Sequence, residues 1–375
     1  MWLNFRRLQR LYSNISHSNL KVTYTNTPKP KPNLETPLAF GTASTDHILV
    51  IDWNSTSGWE QPQIVPYGPF QLDPCASVLH YATEVFEGMK AYKTEDGKFL
   101  LFRPEKNMHR MRSSVASVGL PDFDGDEFLK CLKELIKVDK DWIPSKKGYS
   151  LYVRPTMIAT DPKLGVVKPS NAKLFVVLTA VGPYFPQGFK PVKLYCDENV
   201  VRAWPGGVGD RKIGGNYAPG ISITEKVNKL GYSQMLWLVN NYVTEVGTMN
   251  FFVFWKNEAG EEELITAPLD STILPGVTRD SILSLARDWN EFKVSERKFT
   301  IDEFVKASEE GRIIEAFGAG TACVVCPVET IHFNGKDHQI PLKLGESGEL
   351  AKRFLEEIQG IQYGKKDHPW AHQIL

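Results

Sequence analysis

The chain has 375 residues, 42% of them hydrophobic and 23% charged, with 44 basic and 44 acidic side chains. That length suffices for two domains with their own cores, and zero net charge gives no bulk attraction to nucleic acid or to a membrane surface. No apolar run approaches the roughly 18–20 residues that span a bilayer, so small molecules held in a cleft are the expected partners.

The first 34 residues differ from the rest. Arg6, Arg7, Arg10, Lys21, Lys29 and Lys31 precede the first acid, Glu35, and Trp2, Leu3, Phe5, Leu8, Leu11 and Tyr12 alternate with the arginines at helical spacing. A basic, serine-bearing, acid-free amphipathic start predicts a mitochondrial transit peptide, cleaved between 15 and 30. With the Pro-Lys-Pro-Lys-Pro linker at 28–32, the expectation is a presequence and linker over 1–32 and a location in the mitochondrial matrix.

A strand is predicted over 45–53, and 77–92 mixes apolar and polar residues without a clean period. A strand at 98–102 leads to a helix over 104–118, with Pro104 in its first turn and Met108, Met111, Val115 and Val118 at spacings of three and four. A second helix follows at 125–141, then strands over 149–160 and 172–181. Residues 182–191, with three prolines and two glycines, read as an interdomain linker. The division is thus 33–181, a small α/β domain, and 192–375, a larger one.

In the second domain strands are expected near 192–197, 234–239, 249–256, 262–266, 311–316 and 322–328. Helices are expected at 218–230, 277–290, 301–309 and 347–358. The alternation gives an α/β or α+β protein of two domains. Five scattered cysteines, Cys75, Cys131, Cys196, Cys323 and Cys326, suit a reducing compartment better than a disulfide framework. Cys323-Val-Val-Cys326 lacks the further ligands of a zinc site and reads equally as a redox-sensitive dithiol or as two packed thiols.

One stretch concentrates the chemistry. Residues 206–217 (GGVGDRKIGGNY) hold five glycines and Lys212. Glycines let a ligand approach the main chain, and a lysine desolvated there loses basicity and gains nucleophilicity toward a carbonyl. Lys212 is therefore a candidate for a Schiff base with pyridoxal phosphate, against the alternative of a mobile loop with a solvated lysine. Such a site also needs an acid for the pyridine nitrogen and donors for a phosphate. Glu245, in an apolar glycine-bearing turn, is the acid; Val277 and Thr278 open a helix after Pro275-Gly276; Gly318–Ala322 offers a second main-chain cradle. Walker, dinucleotide, zincin and nucleophile-elbow patterns are not met.

LAFGTASTDHILVIDW, HYATEVFEGMKAY, LFRPEKNMHRM, LYVRP, RAWPGGVGDRKIGGNY, TEVGTMN, LPGVT and GAGTACVVCPV occur in this order from about 38 to 328. Together they closely resemble the branched-chain aminotransferases, two-domain pyridoxal phosphate enzymes of fold type IV, most of all the eukaryotic branch.

The resemblance implies a ping-pong transamination of L-leucine, L-isoleucine and L-valine with 2-oxoglutarate, through Lys212 as Schiff-base residue and proton carrier, in a homodimer. It assigns Glu245 to the pyridine nitrogen, Tyr217 to the phenolic oxygen, and Arg110, Arg202, Val277, Thr278 and Thr321 to the phosphate. Phe40, Tyr81, Phe86, Tyr152 and Tyr184 become the substrate walls, with Thr248 and Ala322 around the α-carboxylate. Arg154, with Tyr81 and Tyr152, is placed to meet a glutamate side chain. Cys323 and Cys326 match a redox-sensitive pair of some members. A D-amino acid aminotransferase, a lyase, or an inactive homologue acting as a binding protein are the alternatives.

Overall fold

The computed structural model describes residues 14–36, 38–183 and 190–374. The chain forms two compact units, one of residues 1–182 with 362–375 and one of residues 183–361. The expected boundary near 182 recurs. The expectation that the whole C-terminus joins the second domain is corrected, because the final segment folds into the first unit.

The first unit is built on ten strands. In chain order these include β1 (Lys21–Val22), β2 (Ala43–Asn54), β3 (Gly58–Trp59), β4 (Gln63–Pro66), β5 (Glu84–Phe86), β6 (Met89–Lys93), β7 (Phe99–Phe102), β8 (Ser150–Ala159) and β9 (Asn171–Val181). The sheet runs β1-β4-β2-β9-β8-β6-β7 and ends on Ala371–Gln373; β3 pairs with β2 and β5 with β8. That last strand lies antiparallel to β7, Ala371 opposite Phe102, and the Arg103 guanidinium stacks 4.3 Å over the Trp370 ring.

Among the described residues the α-helices beside the sheet are α1 (Ser77–Tyr81), α2 (Pro104–Ser117) and α3 (Gly125–Val138). The predicted helices at 104 and 125 are present. The Asp124 carboxylate accepts from the Asp126 and Glu127 N–H groups and starts α3, whose buried face is Phe128, Leu132, Leu135 and Ile136. The aperiodic stretch 77–92 resolves into one short helix and two short strands, each below the length at which a period becomes visible.

The second half of the predicted presequence and linker is corrected. Ile15 is buried, and β1 runs parallel to β4 with Lys21 opposite Gln63. Lys29 donates its N–H to Asp46 Oδ1 at 2.8 Å, Lys31 Nζ pairs with Asp46 Oδ2 at 3.1 Å, and their ammonium groups lie 4.1 Å from the Tyr67 and Trp142 ring centres. These lysines serve the fold, so cleavage within 15–30 would remove built structure. Residues 1–13 lie outside the described residues, as do 184–189 of the expected linker.

The second unit carries β10 (Val192–Cys196), β11 (Gln234–Val239), β12 (Tyr242–Val246), β13 (Met249–Lys256), β14 (Glu262–Thr266), β15 (Lys293–Glu296), β16 (Ile313–Gly320), β17 (Val324–Phe333) and β18 (Lys336–Gln339). The order is β12-β11-β10-β17-β16-β13-β14-β15, and β12 also pairs with β13, so six strands close on themselves. The strands pack around a core that includes Leu194, Leu236, Phe251, Val253, Phe299 and Phe304. Each such side chain contributes about 1.5–3 kcal/mol of burial.

Around the strands lie α4 (Gly220–Lys229), α5 (Val277–Trp289), α6 (Ile301–Glu309) and α7 (Glu349–Gln362). Thr300 and Glu303 form a reciprocal capping box on α6. The buried Glu315 carboxylate caps α7 by accepting from the Leu350 and Ala351 N–H groups at 2.8 and 2.9 Å. By contrast Gly276 opens α5 without any side-chain cap.

Candidate active site

The second unit carries the expected cofactor residues other than Arg110, and one cavity brings Arg202, Tyr217 and Glu245 together, while Lys212, Val277, Thr278 and Thr321 are not on its wall. β12 and β13 are joined by the two-residue turn Gly247-Thr248, with Val246 opposite Met249. Gly247 sits at φ +53°, a backbone conformation that favours glycine, and the Gln234 side chain occupies the space where a Cβ would point. Two residues before the turn, Glu245 is a strand residue and 3% exposed. A solvated turn glutamate is thereby excluded, and a buried carboxylate needs partners.

It has several. Arg202 Nε stands 2.8 Å from Glu245 Oε2, an ion pair whose N–H vector lies off the line of a hydrogen bond. Glu245 Oε1 accepts from the Leu274 N–H at 2.7 Å and from Asn250 Nδ2 at 3.1 Å. Arg202 Nη2 donates to the carbonyls of Gly209 and Thr272 at 2.8 and 2.9 Å. The Arg202 guanidinium thus faces the acid and ties it to the glycine-rich stretch.

That stretch is ordered by its own hydrogen bonds. Asn216 Nδ2 donates to the Val208 and Arg211 carbonyls at 2.7 and 2.8 Å, and the Tyr217 N–H reaches Gly214 O at 2.9 Å. At Gly209 a Cβ would fall 2.4 Å from Ala203 Cβ and 2.7 Å from Ser271 O, so this glycine serves close packing. The helical turn over Gly214–Asn216 brings Tyr217 back to Lys212, whose Nζ donates to Tyr217 Oη at 2.9 Å. The lysine is half-buried, and the mobile-loop alternative does not fit these contacts.

Arg202, Tyr217, Glu245, Gly247, Thr248 and Leu274 share the wall of one cavity of about 610 Å³, within the range of cofactor and substrate sites. Leu274 leads into α5, where Val277 and Thr278 are buried and their N–H groups precede the first intrahelical bond, Asp280 N–H to Gly276 O at 3.0 Å. A helix start without a side-chain N-cap suits an anion. Thr321 and Ala322 occupy the turn between β16 and β17, which ends on Val324 at φ +65°, a strained value for a β-branched residue. Cys323 in this turn has its Sγ 3.2 Å from Met249 Sδ, adjoining the start of β13. Cys326 is fully buried, and burial, with Cys323 beside it, pushes its thiol far above the usual range.

The first unit holds its own cluster. Arg154 Nη2 donates to Tyr152 Oη at 2.9 Å, and the guanidinium lies 4.8 Å from the Phe86 ring centre. Phe40 meets Tyr152 edge-on with centroids 4.8 Å apart. The sequence thus identified four residues that do come together. Tyr81, 43% exposed, turns its hydroxyl to the Leu164 carbonyl. Tyr184 lies outside the described residues. Burial pushes the nearby Glu84 carboxyl above its ordinary value, against the pull of Arg154. Arg110 is buried on α2, its Nε and Nη2 donating to the fully buried Glu87 at 2.7 and 2.8 Å.

Sequence reading missed Glu87, Asn107, Gln234, Trp237 and Asn250. Glu87, Asn107 and Asn250 stand inside the quoted motifs, and Asn107 Nδ2 donates to Glu87 Oε2 at 2.8 Å. Trp237 and Gln234 lie on a strand that reads as plain core, and only the fold turns them toward the cavity.

Comparison with known proteins identifies the family. Residues 84–331 match the amino-transferase class IV family. The branched-chain-amino-acid aminotransferase of Dictyostelium discoideum is 51% identical over 373 residues, covering 98% of this chain and 99% of its own. The mitochondrial enzyme of that name from Rattus norvegicus is 51% identical over 366 residues, 96% of this chain and 93% of its own. The cytosolic one from Mus musculus is 49% identical over 360 residues, 95% and 92% of the two chains. Among solved structures, a T.th. branched-chain amino acid aminotransferase with pyridoxamine 5'-phosphate superposes with a TM-score of 0.68 at 25% identity, covering 87% of this chain and 98% of that one.

Proposed function

The chain belongs to the class IV aminotransferases, among the branched-chain-amino-acid aminotransferases, and from that premise we propose its substrates, cofactor and residue roles. The amino donors are L-leucine, L-isoleucine and L-valine, and 2-oxoglutarate closes a ping-pong cycle as L-glutamate. The cofactor is pyridoxal 5'-phosphate. When bound it supplies an electron sink for the pair left at the substrate Cα.

The observation that carries this reading is the buried Glu245, paired to Arg202 on the wall of the cavity that Tyr217 also lines. The donor set fits the cofactor. Glu245, paired to Arg202, would be the acidic partner of the ring nitrogen. Tyr217 supplies a hydroxyl for the phenolic oxygen. The N–H groups of Val277 and Thr278 and the hydroxyl of Thr321 hold the phosphate, and the resemblance gives Arg110 to the phosphate as well. Lys212 would hold the cofactor through its side-chain amine, and that amine, when free, would serve as the base toward the substrate Cα proton.

Thr248 and Ala322 meet the substrate α-carboxylate. The rings of Phe40, Phe86 and Tyr152 form a surface for an aliphatic side chain, worth about 1.5–3 kcal/mol when buried. Arg154 and the Tyr152 hydroxyl, already joined, serve a side-chain carboxylate instead. We read the protein as a homodimer of the mitochondrial matrix, with the address in its basic, acid-free start. The test is an assay of the purified protein with L-leucine and 2-oxoglutarate. Glutamate formation that is lost when pyridoxal phosphate is removed and restored when it is added back is expected, and its absence with all three branched-chain amino acids overturns the reading.

A further inference from the structure

We propose that Trp237 is a positioning residue for this reaction, holding Glu245 and the Gly247-Thr248 turn in place from the neighbouring strand. The inference rests on the reading of Glu245 and Thr248 as groups that face cofactor and substrate.

Trp237 grips β12 on both sides of Glu245. Its carbonyl accepts the Thr244 hydroxyl at 2.8 Å, and its indole Nε1 donates to the Gly247 carbonyl at 2.9 Å. The Gly247 N–H goes to Met235 O on the same strand at 2.8 Å. Both backbone groups of Gly247 are therefore satisfied by β11, as is the hydroxyl of Thr244. The left-handed backbone at Gly247 is a conformation few residues hold unaided, and the Gln234 side chain packs where a Cβ would point. Trp237 is 3% exposed and lines the same cavity, so its indole both forms the wall and anchors the turn that carries Thr248. Removing only the indole N–H leaves the Gly247 carbonyl without this donor at the cavity edge. The turn then gains freedom, and the groups flanking it lose their fixed aim.

The experiment compares parental protein with Trp237→Phe, which keeps an aromatic wall. Cofactor is removed, and pyridoxal phosphate affinity is read by titrating the apo-protein. Steady-state constants are then measured at saturating cofactor. The expected result is a roughly tenfold weaker cofactor Kd, as for one lost buried hydrogen bond. KM for L-leucine and 2-oxoglutarate rises about three- to tenfold, while kcat falls less than KM rises. A role in folding alone lowers Tm and leaves both KM values in place, and that outcome overturns the proposal. Should Trp237→Phe fail to fold, Thr244→Val releases the other grip and must shift Kd in the same direction; an unchanged Kd there also overturns it. A parental protein that neither binds the cofactor nor transaminates overturns the underlying reading, which separates the two failures.

Discussion

Arg202 and Glu245 form a buried ion pair, Nε 2.8 Å from Oε2, with the side chains 9% and 4% exposed. The guanidinium continues to Gly209 O and Thr272 O, and the carboxylate to the Leu274 N–H, so one pair joins the lysine-bearing loop, the acid strand and the chain entering α5.

Breaking that pair on the basic side leaves an uncompensated buried carboxylate. Arg202→Met is expected to destabilise the second unit by about 3–5 kcal/mol, the cost of orphaning a buried charge. Chemical denaturation of the apo-protein measures it. Glu245→Gln keeps the shape and its amide oxygen as an acceptor. It is expected to remain folded but to bind pyridoxal phosphate more weakly, since the ring nitrogen loses its anionic partner.

Tyr217→Phe removes the acceptor of the Lys212 ammonium and leaves the ring 4.9 Å from Nζ. The fold is expected to persist, because the backbone of the loop is held by Asn216. Turnover is expected to fall about ten- to a hundredfold, the scale of one positioned polar group in proton transfer, with KM for L-leucine changing less. Steady-state kinetics at saturating cofactor decide the matter.

Gly209→Ala places a methyl group 2.4 Å from Ala203 Cβ and 2.7 Å from Ser271 O. Neither neighbour is the tip of a flexible side chain. Overpacking of about 1–3 kcal/mol is expected, together with weaker cofactor binding, because Gly209 O is the acceptor that fixes Arg202. Gly206→Ala, where a Cβ meets nothing within 4 Å but φ is +80°, is expected to act through backbone strain only and to spare the Arg202 contacts.

Asp46 gives the N-terminal segment a pH dependence. Burial pushes its carboxyl up, but the Lys29 N–H, the Trp142 indole and the Lys31 ammonium outweigh that and hold it below its ordinary value of 3.8. A depressed folded value means that the stabilisation is present above pH 3.8 and is lost as pH falls through the folded value. Protection of the amides of Lys21, Thr23, Thr25 and Lys29 against hydrogen exchange, normalised for intrinsic rate, is expected to collapse in that acid window before that of β8 and β9. Asp46→Asn is expected to lower it already at neutral pH.

Much of this was legible before the fold was seen, for local reasons. The apolar spacing of α3, Pro104 at the start of α2 and Pro275-Gly276 ahead of α5 are signals carried within one turn of chain. Lys212 and Glu245 were legible as an amine and an acid in unusual company. The partners of Glu245 were not, because Arg202, Asn250 and Leu274 reach it only through strand pairing and loop closure. Lys29 and Lys31 misled for a related reason: a basic residue reads as a targeting signal until its acid, Asp46, and its aromatic rings are brought to it. β12 escaped because Thr244 and Glu245 are buried polar residues, which break the alternation expected of a strand. The final strand escaped because three residues carry no period.

The most direct measurement is reduction of the cofactor-loaded protein with borohydride, followed by peptide mass mapping. The account predicts a phosphopyridoxyl group on Lys212 in the peptide spanning 206–217, with loss of activity in step with labelling. Labelling of any other lysine in an active protein, or full activity in Lys212→Ala, would contradict it.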